Sequence, residues 1–255
     1  MTTDLRIKRA SFRALHQQGC FILPNPWDLG GIRRLEKAGF KALASTSAGA
    51  AWAVGRNDGE LSRDEVLAHL RFLSASTDLP VNADFEAGFA DEPEDVAANV
   101  TLAVDTGVAG LSIEDRTARS LYELPLARDR IKAAREAISK SGQDVILVAR
   151  SEGFLIERTD LAATIERLVA YADAGADCLY APGIKDLSAM AELVSAVAPK
   201  PVNALLFGPE MHVAGLADIG VRRVSTGGGL AAAAWRGFDN AVQLLIQEGM
   251  LPKRE

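Results

Sequence analysis

Two rhythms of apolar and polar positions alternate along the chain. Short apolar runs are followed by longer stretches in which apolar residues recur at helical spacing, the pattern of βα units built on a mainly parallel sheet. Eight runs read as strands: Cys20–Pro24, Ala42–Thr46, Val81–Phe85, Gly110–Glu114, Val145–Arg150, Cys178–Ala181, Val202–Leu206 and Arg223–Thr226. The amphipathic stretches predict helices over 28–39, 62–76, 92–106, 125–141, 159–174, 186–197, 209–219 and 229–248.

Helix ends are marked by local chemistry. Ser62-Arg-Asp-Glu65 has the form of a capping box, and Pro93 falls inside a first helical turn. Gly39, Gly107, Gly175 and Gly220 each stand where a helix gives way to the next strand. Two small domains would also fit the length, but eight repeated units favour one closed α/β barrel, a single (β/α)8 TIM barrel spanning residues 1–255. No G-x-G-x-x-G follows the first strand, which weakens a dinucleotide-binding sheet.

Composition narrows the classes. The chain has 255 residues, 48% of them hydrophobic, with a formal net charge of −6 and both signs mixed along its length. No basic face for nucleic acid is visible, and no stretch approaches the roughly 20 apolar residues of a membrane span. The two cysteines, Cys20 and Cys178, form no paired motif, and the first residues lack the apolar core of a signal peptide. A cytoplasmic protein without nucleic-acid or membrane partners is expected.

In a barrel of this kind the chemistry belongs at the C-terminal strand ends. The third strand places Asn82, Asp84 and Glu86 on one face, with Val81, Ala83 and Phe85 on the other. Two inward carboxylates one step apart call either for a hard cation such as Mg2+ or for a buried Arg or Lys. Glu114 ends the fourth strand where it could join the same ion, whereas Asp115 faces away, towards a neighbouring loop or helix. Asp58 lies in a polar turn after the second strand, either as a further carboxylate or as a turn former. Ser47, Ala48 and Gly49 form a small-residue corner that either offers backbone N–H groups to an anion or simply turns the chain. Arg150 ends the fifth strand, suited to clamp a carboxylate or to pair internally with Asp84 or Glu86. Asn203 on the seventh strand is expected at the same rim.

Absences also decide. His16, His69 and His212 fall in helical regions, no Lys occupies a strand end, and neither Cys lies in a catalytic-face loop. A His-based zinc site and a Schiff-base aldolase are therefore disfavoured.

These motifs resemble the isocitrate lyase/phosphoenolpyruvate mutase superfamily through nearly the whole chain. Its Asp-x-Asp-x-Gly-Phe/Tyr motif is similar to Asp84-Phe-Glu86-Ala-Gly88-Phe89, its Ile-Glu-Asp motif to Ile113-Glu114-Asp115, and its Ala-Arg-x-(Asp/Glu) motif to Ala149-Arg150-Ser-Glu152. Its Pro-Asp turn resembles Asn57-Asp58-Gly59, and its Ser-Gly site resembles Ser47-Ala48-Gly49. The resemblance implies Mg2+, or Mn2+ in its place, held by Asp84, Glu86, Glu114 and Asp58, several of them through water. It also implies a small carboxylate substrate held by Ser47, Ala48, Gly49, Asn203 and Arg150. The chemistry implied is cleavage of a C–C bond in a 2-hydroxy or 2-oxo carboxylate through a pyruvate-like enolate, with Arg150 and Glu114 catalytic. Alternatives are C–P chemistry on phosphonopyruvate or phosphoenolpyruvate, and a non-catalytic barrel that binds a 2-oxo acid.

The loop after the fourth strand departs from the family. Where the lyases carry Lys-Lys/Arg-Cys-Gly-His, this chain has Arg116-Thr-Ala-Arg119-Ser120-Leu-Tyr122-Glu123, without the lyase Cys. Tyr122, Ser120 or Arg119 would then donate the proton or contact the anion. The resemblance further implies a homo-oligomer, dimer or tetramer, with the last helix packed on its own barrel or swapped onto a partner's.

Overall fold

The computed structural model describes residues 4–117 and 120–253. Among these, eight strands run parallel: β1 (Phe21–Leu23), β2 (Leu43–Ala44), β3 (Val81–Asp84), β4 (Gly110–Glu114), β5 (Ile146–Arg150), β6 (Cys178–Tyr180), β7 (Val202–Leu205) and β8 (Arg223–Ser225). Each hydrogen-bonds the next from β2 to β8, and β8 pairs with β1. The β1–β2 seam is drawn together by Ala44 N–H donating to Pro24 O at 3.0 Å. Asn25 reinforces it, donating to Ser45 O at 2.7 Å and accepting from the N–H groups of Thr226 and Gly227. The sheet is therefore a nearly closed barrel with helices between its strands, as the pattern predicts.

Ten helices are described among these residues. After α1 (Leu5–Leu15) come α2 (Leu29–Lys37), α3 (Ser47–Ala53), α4 (Arg63–Ala75), α5 (Pro93–Val104), α6 (Leu124–Lys140) and α7 (Leu161–Asp173). The last three are α8 (Leu187–Ala196), α9 (Val213–Asp218) and α10 (Gly229–Glu248), and a short 3-10 turn spans Gly153–Ile156. The capping box at Ser62 is present, with the Glu65 side chain returning to the Ser62 N–H.

Strand alternation splits the core. Outward residues such as Ala83, Leu111, Ile113, Leu147, Ala149 and Val224 join one large cluster with the helices. Inward residues Leu23, Ala42, Ala44, Ile146, Val148, Cys178 and Tyr180 make a smaller cluster inside the barrel, met by Phe12 of α1.

Two helices lie outside the expected set. Helix α1 buries Phe12 fully and, against expectation for charged residues, also Lys8 and Arg9. Lys8 Nζ donates to Ser74 O in the last turn of α4 and to Thr77 O just beyond it, and Arg9 donates to Val104 O at the end of α5 and to Val108 O on the way into β4. Cations on the free carbonyls of helix C-termini are favourably placed, which makes a charged helix a suitable plug. Helix α3 starts at the corner expected from Ser47 to Gly49, with the Thr46 hydroxyl capping Gly49 N–H. Among the described residues no helix is long and apolar enough to cross a membrane.

Candidate active site

Strand β3 ends at Asp84, so Glu86 does not reach the rim as a strand residue. The chain instead turns sharply, with Glu86 at φ 47°, Gly88 at 76° and Phe89 at 57°. Left-handed backbone at two non-glycine positions costs roughly 1–3 kcal/mol each and persists only where neighbours hold it. Here Arg130 donates to Ala87 O and Ala90 O, Asn99 donates to Gly88 O and Phe89 O, and Glu114 N–H donates to Glu86 O at 3.0 Å. The turn thus brings Glu86 over the barrel mouth.

Asp84 Oδ2 accepts from both the N–H and the hydroxyl of Ser47, each at 3.0 Å. Asp84 Oδ1 lies 3.1 Å from Arg150 Nη1, and the same nitrogen lies 3.4 Å from Glu114 Oε2. Arg150 Nε donates to Glu152 Oε1 at 2.5 Å. Glu152 is nearly fully buried, its N–H fixed by Asp115 Oδ1 at 2.9 Å. Asp115 faces away from the mouth, as its place after Glu114 predicts. It gathers the Ser151 hydroxyl, Arg167 and the Tyr171 hydroxyl, which ties the ends of β4 and β5 to α7.

A cavity of about 470 Å3 opens above these groups, lined by Ser47, Asp58, Gly59, Glu86, Ala87, Glu114, Arg116, Thr117, Arg150, Glu152 and Leu155. Burial pushes Glu86 up to about 7, and the charges of Asp84 and Asp58 add to it against Arg150. Glu114 rises to about 8, again first by burial; Arg150 opposes the rise, and Glu152, Asp84 and Glu86 add to it. Burial alone would weaken the Arg150 proton, but Glu152, Glu114 and Asp84 hold it well above the usual guanidinium range. Negative charge therefore exceeds positive charge at the mouth.

The donor set bears on a metal. Glu86 Oε1 is buried with no hydrogen-bond partner, and the other groups offered are carboxylate oxygens. Among the described residues no three His, Cys, Asp or Glu side chains converge closely enough to grip an ion directly. Hard oxygen donors, surplus charge and loose convergence fit a Mg2+ ion that keeps several of its waters.

Ser47, Asp58, Glu86, Glu114 and Arg150 thus meet at one cavity, and Asp84 is bonded to two of them. Ala48 and Gly49 do not line it. The Gly49 N–H is taken by Thr46, and a Cβ there would meet Thr46, Trp27 and Ala231. Asn203, expected at the rim, is fully buried inside the barrel and does not line the cavity. It donates to Ser225 Oγ at 3.0 Å and accepts from Arg223 Nε at 2.8 Å. Arg223 is buried beside His16 and Asn82, so the Asn203 carbonyl serves as its acceptor.

The lid candidates also stand apart from the acidic groups. Tyr122 donates to Asp91 Oδ1 at 2.5 Å, with the Arg130 guanidinium 3.9 Å from its ring centre. Ser120 belongs to a tight turn in which its N–H donates to Thr117 Oγ1 at 2.9 Å and its carbonyl accepts from Thr117 N–H. Arg119 lies outside the described residues. Sequence reasoning passed over Glu152, Arg116 and Thr117 as site residues. The Ala-Arg-x-Glu motif held the signal for Glu152, whereas nothing in the sequence singled out Arg116.

Comparison with known proteins bears on this geometry. The phosphoenolpyruvate phosphomutase family profile matches residues 12–246. The uncharacterized protein Rv1998c of Mycobacterium tuberculosis is 36% identical over 231 residues, covering 88% of this chain and 86% of that protein. The 2-methylisocitrate lyase of Escherichia coli K12 is 32% identical over 185 residues, covering 68% of this chain and 61% of the lyase. Among solved structures, a protein described as a candidate lyase/mutase from Burkholderia cenocepacia J2315 superposes with a TM-score of 0.95 at 45% identity, covering 97% of this chain and 92% of that one.

Proposed function

The chain belongs to the phosphoenolpyruvate phosphomutase family of the isocitrate lyase/phosphoenolpyruvate mutase superfamily, a superfamily of lyases and mutases, and from that premise we propose that it is a Mg2+-dependent carbon–carbon lyase. The substrate is a 2-hydroxy or 2-oxo carboxylate, and cleavage passes through a pyruvate-like enolate. One observation carries this reading: Asp58, Glu86, Glu114 and Glu152 line a single cavity together with Arg150 and Arg116, and a buried Glu86 oxygen there has no partner.

Asp58, Asp84, Glu86 and Glu114 would hold Mg2+, or Mn2+ in its place, largely through water. When bound, the ion supplies a Lewis acid for charge that develops on the substrate oxygen. The protein's own groups do the rest. The three ion pairs of Arg150 run through Nε and Nη1, so Nη2 is the nitrogen left for the substrate carboxylate. Ser47 Oγ lies beside Asp84 at the cavity wall and orients the same head group. Ala87 and Leu155 close the wall with apolar surface that limits water.

The lyase Cys has no counterpart, and the Tyr122 hydroxyl is committed to Asp91. The acidic cluster is the proton reservoir beside the cavity: burial holds Glu86 and Glu114 partly protonated while the site is ion-free, and Mg2+ displaces those protons as it binds. Helix α10 presents Trp235, Phe238 and Ile246 to solvent, which favours a homo-oligomer built on that face.

The test is turnover. The protein is incubated with Mg2+ and 2-methylisocitrate, other 2-hydroxy diacids, oxaloacetate or phosphonopyruvate, and pyruvate is followed with Glu114→Gln as control. Release from a C–C substrate, lost in the control, supports the proposal. Turnover of phosphonopyruvate alone would move the reaction to C–P chemistry, and tight oxo-acid binding without turnover would make the barrel a binding protein.

A further inference from the structure

The acidic cavity is not the only space at the barrel mouth. A second cavity of about 530 Å3 adjoins it and shares Ala87, Arg116 and Thr117 with it as common wall. The two chambers differ in chemistry. The first holds Asp58, Glu86, Glu114 and Glu152. The second is walled by Ala87, Phe89 and Ala90 together with the Tyr122 ring, and its single acid, Asp91, already accepts the Tyr122 hydroxyl.

Arg116 stands at the junction. Arg150 is enclosed by Asp84, Glu114 and Glu152. Arg116, by contrast, is exposed and has no ion-pair partner among the described residues. It is thus the cation open to a second negative group on a bound molecule. The apolar wall beside it is preformed: Phe89 keeps its left-handed backbone, its ring packs edge-on against Phe85 at 5.1 Å, and Asn99 and Arg130 hold the carbonyls of the turn. Such a turn keeps its shape without a ligand, so binding there costs little reordering.

We propose that Arg116 and the 87–90 turn form a second subsite, continuous with the acidic cavity, for the part of the substrate remote from the bond that breaks. An alkyl branch lies on Ala87, Phe89 and Ala90, and a terminal carboxylate pairs with Arg116. This rests on the acidic cavity being the reaction site. Within that reading it makes Arg116 a specificity-determining residue that selects branched diacids over monoacids.

Titration calorimetry of the full chain with Mg2+ tests it, using lactate, malate and 3-methylmalate as probes. Malate is expected to bind roughly tenfold more tightly than lactate, since a charge-assisted contact to Arg116 is gained. The methyl group adds a further gain of about threefold. Arg116→Gln erases the malate advantage and Arg116→Lys restores part of it, while Ala90→Leu erases the methyl advantage alone. Equal affinity for lactate and malate in the unaltered protein, with both lost in Arg150→Lys, would overturn the subsite and leave the reaction site standing. Absence of binding by all three acids would overturn both.

Discussion

Ser47 gives its backbone N–H and its hydroxyl to the same oxygen of Asp84, both at 3.0 Å. The bond pair ties the first turn of α3 to the end of β3 and leaves the other Asp84 oxygen to Arg150. Ser47→Ala keeps the backbone bond and removes the hydroxyl. The expected cost in stability is about 1 kcal/mol, because the hydroxyl bond is partly exposed and its partner stays hydrogen-bonded. KM should rise more than kcat falls if the hydroxyl orients the substrate head group, and steady-state kinetics on the active substrate reads the split.

Glu86 and Glu114 set a pH dependence. Both folded-state values, about 7 and about 8, lie above the ordinary 4.5. The folded protein therefore binds more protons than the unfolded chain across that window, and the stabilisation, complete below about pH 4.5, is lost as pH rises through 7 to 8. In EDTA, the melting temperature should fall between pH 5 and 8.5. Glu114→Gln should flatten the upper part of that slope, and added Mg2+ should stabilise more strongly at high pH, where the carboxylates are charged. A melting temperature independent of pH in EDTA would show that these acids are not held protonated.

Gly49 is needed for packing. A Cβ there would stand 2.7 Å from Thr46 Cγ2, 3.0 Å from Trp27 Cβ and 3.3 Å from Ala231 Cβ. Gly49→Ala should destabilise by about 1–3 kcal/mol through overpacking, read by urea denaturation. Because α3 carries Ser47, the same substitution should also weaken acid binding, an effect that a remote packing defect would not produce.

Much of the barrel was legible because strand alternation survives in the sequence. The run Gly110–Glu114 matches β4 residue for residue, with Leu111 and Ile113 facing the helices and Glu114 at the mouth. What escaped was hidden by tertiary pairing. Lys8 and Arg9 lie in a charged stretch for which the pattern predicts no element, yet in α1 they reach the carbonyl ends of two other helices. The residues after Thr46 are too small and uniform to show a helical face, so α3 read as a corner. Asp84 and Glu86 share the mouth as their spacing suggested, but Glu86 arrives there through a left-handed turn that no period-two pattern encodes. Asn203 has the right strand and the right face, but Arg223, close to it inside the barrel, claims its carbonyl.

Asp115 holds the site together from behind. It is 4% exposed and accepts from Ser151 Oγ, Glu152 N–H, Tyr171 Oη and Arg167 Nη1. Asp115→Asn turns one accepting oxygen into a donor that faces other donors and removes the charge opposite Arg167. Loss of about 3 kcal/mol is expected in urea denaturation. Since Glu152 loses its anchor, the Arg150 guanidinium should also lose its fixed orientation, and kcat should fall more than destabilisation alone explains at temperatures where the variant is fully folded.

Arg150 itself separates geometry from charge. Its Nε and Nη1 reach Glu152, Asp84 and Glu114 from one rigid guanidinium, a fork of donors that an ammonium group has no means to reproduce. Arg150→Lys preserves the positive charge, so the field that the carboxylates feel changes little and the Mg2+ concentration for half-saturation should stay near that of the unaltered protein. Turnover should nevertheless fall roughly a hundredfold, the usual scale for losing one directed donor in an enclosed site. Arg150→Met also removes the charge, leaving Asp84, Glu114 and Glu152 to repel one another. Mg2+ should then bind more tightly while lactate and malate binding is lost, because the cation gains from the uncompensated carboxylates and the acid loses its partner. Parallel calorimetric titrations of Mg2+ and of acid on the two variants read both signs. If both variants weakened Mg2+ binding alike, Arg150 would be holding the carboxylates in place rather than balancing their charge.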